Sequence, residues 1–231
     1  HVMDNYSLRT PNPGGSMPMP MGSNVERTTS GGRVALEWGW QAFSLVAGLD
    51  AQRSDHRRRN AMGRDAWRAQ PWTNDAGFRQ QGLFAEGTWA LADARRVVAG
   101  ARVDRAEATD RRATVGTPAM ANPSFGQTRS ETLPAGFLRF ERDIVGSGFG
   151  WFAGVGHTQR MPDYWELFSP TRGPMGSVNA FVGVQPEKTT QLDAGLQWRG
   201  ARGGAWVSGY LGRVDDFILF RYMSGGMMGM M

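Results

Sequence analysis

The stretch TQLDAGLQW, residues 190–198, sets Leu192, Ala194, Leu196 and Trp198 at alternate positions, with Gln191, Asp193, Gly195 and Gln197 between them. Alternation with a period of two sends the two sets to opposite faces of a β-strand, one apolar and one polar. In RVALEWGW the apolar set is Val34, Leu36, Trp38 and Trp40, opposite Ala35, Glu37 and Gly39. In GLFAEGTWAL it is Leu83, Ala85, Trp89 and Leu91, opposite Phe84, Glu86, Thr88 and Ala90. Each stretch is a strand lying between grease and water.

Nowhere does the chain hold a run of about eighteen or more uncharged apolar residues, so any crossing of a membrane must be made by strands. The connections alternate in length. Short polar or glycine-rich turns fall near 40–42, 92–96, 142–150 and 199–204. Long segments rich in Gly, Pro, Asn, Arg and Met fall at about 10–25, 54–77, 108–128, 159–187 and 223–231. Tight turns at one end and long loops at the other are the asymmetry of an antiparallel transmembrane β-barrel with long extracellular loops. Trp38, Trp40, Trp89, Phe140, Trp151 and Trp198 gather near the short-turn ends, where an aromatic girdle meets lipid headgroups. A soluble antiparallel sandwich also alternates and also uses tryptophan. The barrel is preferred because such long loops are hard to place in a compact soluble domain.

Strands are predicted at about 1–9, 26–38, 43–53, 78–91, 97–108, 129–142, 150–158, 188–199 and 205–222, nine in all. Bacterial single-chain barrels have an even number, so an incomplete arc of a wider barrel is expected, with two open edges. The chain starts at His1 and stops inside MSGGMMGMM, and it is read as an internal piece of a longer polypeptide.

Composition narrows the function. Nine tryptophans and 40% hydrophobic residues argue against disorder. The absence of cysteine removes disulfides, thiolate metal sites and cysteine nucleophiles within the segment. The net charge of +5 rests on 25 arginines and Lys188, but 21 acidic residues are interspersed and no nucleic-acid-binding motif accompanies them, so no nucleic-acid partner is expected. Enzyme chemistry finds no support: there is no phosphate-binding glycine loop, no nucleophile elbow and no His-Glu-x-x-His. Asp215 and Asp216, adjacent on a predicted strand, would face opposite sides.

Two stretches resemble the C-terminal half of TonB-dependent outer-membrane receptors. GHTQRMPDYWELF carries Arg160, Pro162, Glu166 and Leu167 in the order of the family's Arg-x-Pro followed by Glu-Leu. VQPEKTTQLDAGLQW carries Pro186, Glu187, Asp193 and Gly195 in the order of its Pro-Glu followed by an acidic residue and a glycine. These motif residues are read as structural. Through PDYWELFSPT, PEKTTQLDAGLQW, DDFILFRY and the opening HVMDNYSLR, the chain is most similar to the copper receptors of that family.

The resemblance implies that residues 1–231 are part of a barrel of about twenty-two strands whose plug domain is absent here. It implies as partners that plug, the TonB–ExbB–ExbD energising complex and outer-membrane lipid; separately, the arginines beside His56 suit pairing with lipopolysaccharide phosphates. It also implies copper as the transported ligand, held by a His-x-Met pair on the barrel and a Cys-x-x-x-Met pair on the plug. His1 and Met3 match the barrel pair.

On a strand, residues two apart project together, and an imidazole with a thioether suits copper, sulfur favouring Cu(I) while nitrogen accepts either oxidation state. In SMPMPM the alternating prolines keep the chain extended, which leaves Met17, Met19 and Met21 available to solvent as accessory donors. Met223, Met227, Met228, Met230 and Met231 fall in a glycine-rich stretch that cannot form a core. Met62, Met120, Met161 and Met175 also fall in predicted loops. His56 is placed in a loop as a further donor or a solvated side chain, and His157 is read as structural. Two other readings stay open: a siderophore-iron receptor of the same family, and a Met-rich copper-sequestering or adhesive surface β-protein.

Overall fold

A computed structural model of the chain describes residues 2–9, 21–63, 65–115, 119–168 and 181–219. Its strands are β1 (Val2–Arg9), β2 (Met21–Gly39), β3 (Phe43–Met62), β4 (Thr73–Leu91), β5 (Arg95–Asp110), β6 (Thr114–Val115), β7 (Met120–Ala121), β8 (Thr128–Asp143), β9 (Phe149–Arg160), β10 (Glu187–Gly200) and β11 (Gly203–Asp215). Nine of them form one sheet in the order β1-β2-β3-β4-β5-β8-β9-β10-β11. Every neighbour in that sheet is antiparallel. The sheet is open, with β1 and β11 each paired on one side. The two-residue strands β6 and β7 pair only with each other.

Alternation fixes the two faces. Register aligns Val34, Leu49, Leu83 and Val103 in one row across β2–β5. A second row runs from Trp38 through Leu45 to Gly87, Ala99, Leu138, Val155, Leu192 and Leu211. The large side chains of this face stay exposed, Leu83 at 60% and Leu211 at 75%, as expected of a wall whose solvent is not water. Near the short turns, Phe43 stacks on Trp40 and Trp89 at 5.4 and 4.8 Å, and Phe140 lies 5.3 Å from Trp151.

The opposite face is polar and ion-paired. Arg102 donates to both carboxylate oxygens of Asp50 at 2.7 Å and to Asp104 Oδ2 at 2.6 Å, across β3 and β5. Large rings on this face lie over glycines. Phe84 faces Gly48, Phe137 faces Gly100, and Phe152 faces Gly195 in direct register. A Cβ on Gly100 would come within 2.4 Å of the Phe137 ring, so the glycine makes room for the aromatic. Arg33 and Arg139 then cap Phe84 and Phe152 at 4.0 Å from the ring centroids.

The strands outrun the predicted ones at the long-loop end. Residues 54–62, read as loop, extend β3 to Met62, and β2 begins at Met21 rather than 26. Neither segment carries a sustained row of apolar residues on one face, which hides a strand from an alternation test. They form because each supplies the other's ladder and because Arg57 and Arg59 lie over the Trp72 ring at 5.0 and 4.4 Å. At the other end of the chain, β11 stops at Asp215 rather than 222. Asp216 takes a φ of 58° that breaks the strand, and its carboxylate accepts from Lys188 at 3.0 Å.

What buried core the described residues contain lies on the polar face, under the turn after β9. The one-turn helix α1 (Tyr164–Phe168) brings Tyr164, Leu167 and Phe168 down onto Val25, Ala76 and Ala108, with Phe181 completing the cluster. The loop between β5 and β8 is fastened to it. Asp110 is fully buried and accepts from Arg112, Asn122 and Ser124, while Arg112 donates to the Phe168 carbonyl at 3.2 Å.

Two outcomes follow for the intact protein in detergent. Asp110→Ala leaves the Arg112 guanidinium buried without its carboxylate, costing about 3–5 kcal/mol, and limited trypsin digestion should then cut after Arg111 or Arg112. Gly100→Ala should cost about 1–3 kcal/mol by displacing Phe137. Urea unfolding of the Gly100→Ala, Phe137→Ala double variant should recover part of that loss.

Candidate functional site

The site grows from a defect in the sheet. Along β3 and β4 the register runs Asp55 to Gly77, then His56 to Ala76, then Arg57 to Asn74. Asp75 is therefore an extra residue, a bulge that redirects its side chain. Asp75 is 1% exposed, lies 3.3 Å from Arg58 Nε, and accepts a hydrogen bond from the Tyr164 hydroxyl. Burial first, and then the Asp75 charge, push the Tyr164 phenol above its usual range, so it stays a donor.

Tyr164 is delivered by a local device legible in the motif. The Asp163 carboxylate accepts from the Glu166 N–H at 2.9 Å and the Glu166 carboxylate accepts from the Asp163 N–H at 2.7 Å, a reciprocal capping box. Arg160, at the end of β9, donates to both oxygens of Glu166 at 2.7 and 2.8 Å and to Glu187 Oε2 at 2.8 Å through Nε. The Arg160 bond holds the Glu166 carboxyl below its usual range. Pro162 and Pro186 are buried on either side of this clamp. Asp193 and Gly195 lie on β10, away from it, on the polar face.

Against the turn stands His56. It lies seven residues past Leu49, beyond the apolar band, and is 8% exposed in β3. Its ring stacks on Tyr164 at 4.7 Å with 3° between planes and meets Phe78 edge-on at 5.2 Å. Burial, then the Arg27 charge across the ladder, drop its pKa to about 4, so the imidazole is neutral. Its Nδ1 is buried without a hydrogen-bond partner among the described residues. A cavity of about 250 Å³ opens between this wall and the turn, lined by His56, Met161, Arg27, Ser54, Phe78 and Tyr164 among others.

The predicted donors are distributed unevenly. His1, Met17, Met19, Met175, Met223, Met227, Met228, Met230 and Met231 lie outside the described residues. Met3 lies on β1, opposite Arg27, which in turn lies opposite His56. Met21 starts β2 and Met62 ends β3, so neither is a loop residue. Met120 is exposed on β7, and Met161 is half-buried against the core cluster. His157 faces away from His56 and bonds Thr190 at 2.9 Å. His56, expected in a solvated loop, is instead a buried strand residue. Among the described residues no three His, Cys, Asp or Glu side chains are grouped to hold a metal.

The family model described as TonB dependent receptor-like, beta-barrel matches residues 3–229. Among solved structures, the copper transporter OprC is 48% identical with a TM-score of 0.83, over 97% of this chain and 38% of that one. The alcaligin outer-membrane receptor FauA from Bordetella pertussis is 14% identical with a TM-score of 0.51, over 85% of this chain and 30% of that one, and shares the fold alone. No curated sequence matches. The chain thus spans well under half the length of the proteins it is similar to. With nine antiparallel strands in one open sheet and a match over nearly all of its length, the chain belongs to the TonB-dependent receptors, in their β-barrel.

Proposed function

We propose that the chain is part of the barrel of an outer-membrane receptor that takes up copper and is energised through TonB. The observation that carries this reading is the 48% identity to a copper transporter over 97% of the chain. The exposed apolar face supports a lipid-facing wall, and the polar, ion-paired face supports a lumen lined for a plug domain. Copper is the cargo here. His1 and Met3 supply the barrel-side donors, the plug supplies the rest, and the thioethers of Met17, Met19, Met21 and the C-terminal methionines gather the ion from outside. Lipopolysaccharide phosphates are met by the arginines that end the strands above the apolar band.

A soft cation suits such donors because thioether sulfur is polarizable and imidazole nitrogen also binds soft ions. In the intact receptor, His1→Ala and Met3→Ala should each weaken copper binding about tenfold or more, read by competition titration with metal analysis. Unchanged stoichiometry and affinity would reject the pair as ligands. Replacing Met17, Met19 and Met21 by Leu should slow uptake at limiting copper while leaving bound copper unchanged. TonB-dependent growth on a ferric siderophore with no copper binding would overturn the reading.

A further inference from the structure

We propose that the cavity between the β2–β5 wall and the turn after β9 is a second site for a soft monovalent cation, ligated by the His56 imidazole and the Met161 thioether. The inference rests on the copper reading and extends it to residues outside the His1–Met3 pair.

The first support is an unmet bonding need. A buried ring nitrogen without a partner is unfavourable, and in native proteins such a group is rare enough to call for an explanation. Among the described residues His56 Nδ1 is such an atom, itself closed off from solvent-sized space, on a side chain more than nine-tenths buried that lines a cavity. Its neutral ring keeps one lone pair whichever nitrogen holds the proton.

The second support is orientation. The imidazole is clamped face-on by Tyr164 and edge-on by Phe78, and Tyr164 is itself anchored on Asp75 at the bulge. A ligand ring held by its neighbours is what metal sites require of their surroundings. The third is donor chemistry and place. Met161 lines the same cavity, and sulfur with nitrogen selects Cu(I) or Ag(I) over hard ions. The formal charges of the lining cancel, Arg27 and Arg79 against Glu107 and Asp163. Met3, Arg27 and His56 share one cross-strand row, which sets the Met3 and His56 backbones about 10 Å apart, two strand spacings. Two protein ligands bind weakly enough to release an ion inward, as a conducting path demands.

The test uses Ag(I) as the probe in crystals of the intact receptor, read by anomalous scattering, with His56→Phe and Met161→Leu variants. Silver should appear in the cavity of the wild type, disappear in His56→Phe, and fall in occupancy in Met161→Leu, while silver at His1–Met3 persists in all three. Phenylalanine preserves the stack on Tyr164, and Met161→Leu keeps the shape if His56→Phe does not fold. Uptake of copper at limiting concentration should fall several-fold in either variant. Silver at His1–Met3 with none in the cavity, or a cavity peak indifferent to both substitutions, overturns the proposal alone. Silver at neither place overturns the copper reading as well.

Discussion

Every backbone N–H and C=O in a wall bathed by hydrocarbon must be bonded within the protein, because the solvent offers no partner. That constraint explains why the chain is one continuous antiparallel ladder from β1 to β11 and why the large apolar side chains stay exposed on one face. It also explains where the core is not. Among the described residues no second layer covers the apolar face, so the ordinary requirement of a buried interior is moved to the polar face and to the long-loop end.

On that polar face, stability comes from pairing and fitting. Arg102 neutralises Asp104 on its own strand and Asp50 two strand spacings away, and glycines such as Gly100 receive the rings of the neighbouring strand. Near the loops the same logic tightens into a clamp. Arg160 joins Glu166 to Glu187, the capping box shapes α1, and α1 sets Tyr164 on Asp75 and His56. A bulge in β4 thus ends up governing His56, through a turn 89 residues away in sequence.

Much of the fold was legible because the apolar face writes itself into alternate positions. TQLDAGLQW and GLFAEGTWAL fall within strands and RVALEWGW does so up to Gly39, one residue short of Trp40, with the faces read correctly, and nine strands form the sheet. The ends were not legible. In SDHRRRNAM both faces are polar, since this part of β3 rises beyond the apolar band, and alternation has no signal to give there. His56 was misplaced for that reason. The only clue was the motif PDYWELF, whose aromatic residues need a wall to rest on.

The sequence by itself determined the strand architecture, the inside–outside polarity and the family, because side-chain period and motif order are local properties of the chain. Only the tertiary structure decided that His56 lies in the row of Met3, that Met161 shares its cavity, and that Tyr164 bonds Asp75. These depend on strand register, on one inserted residue and on a loop folding back over the wall. Such choices are set by pairing between segments far apart, and no short stretch encodes them alone.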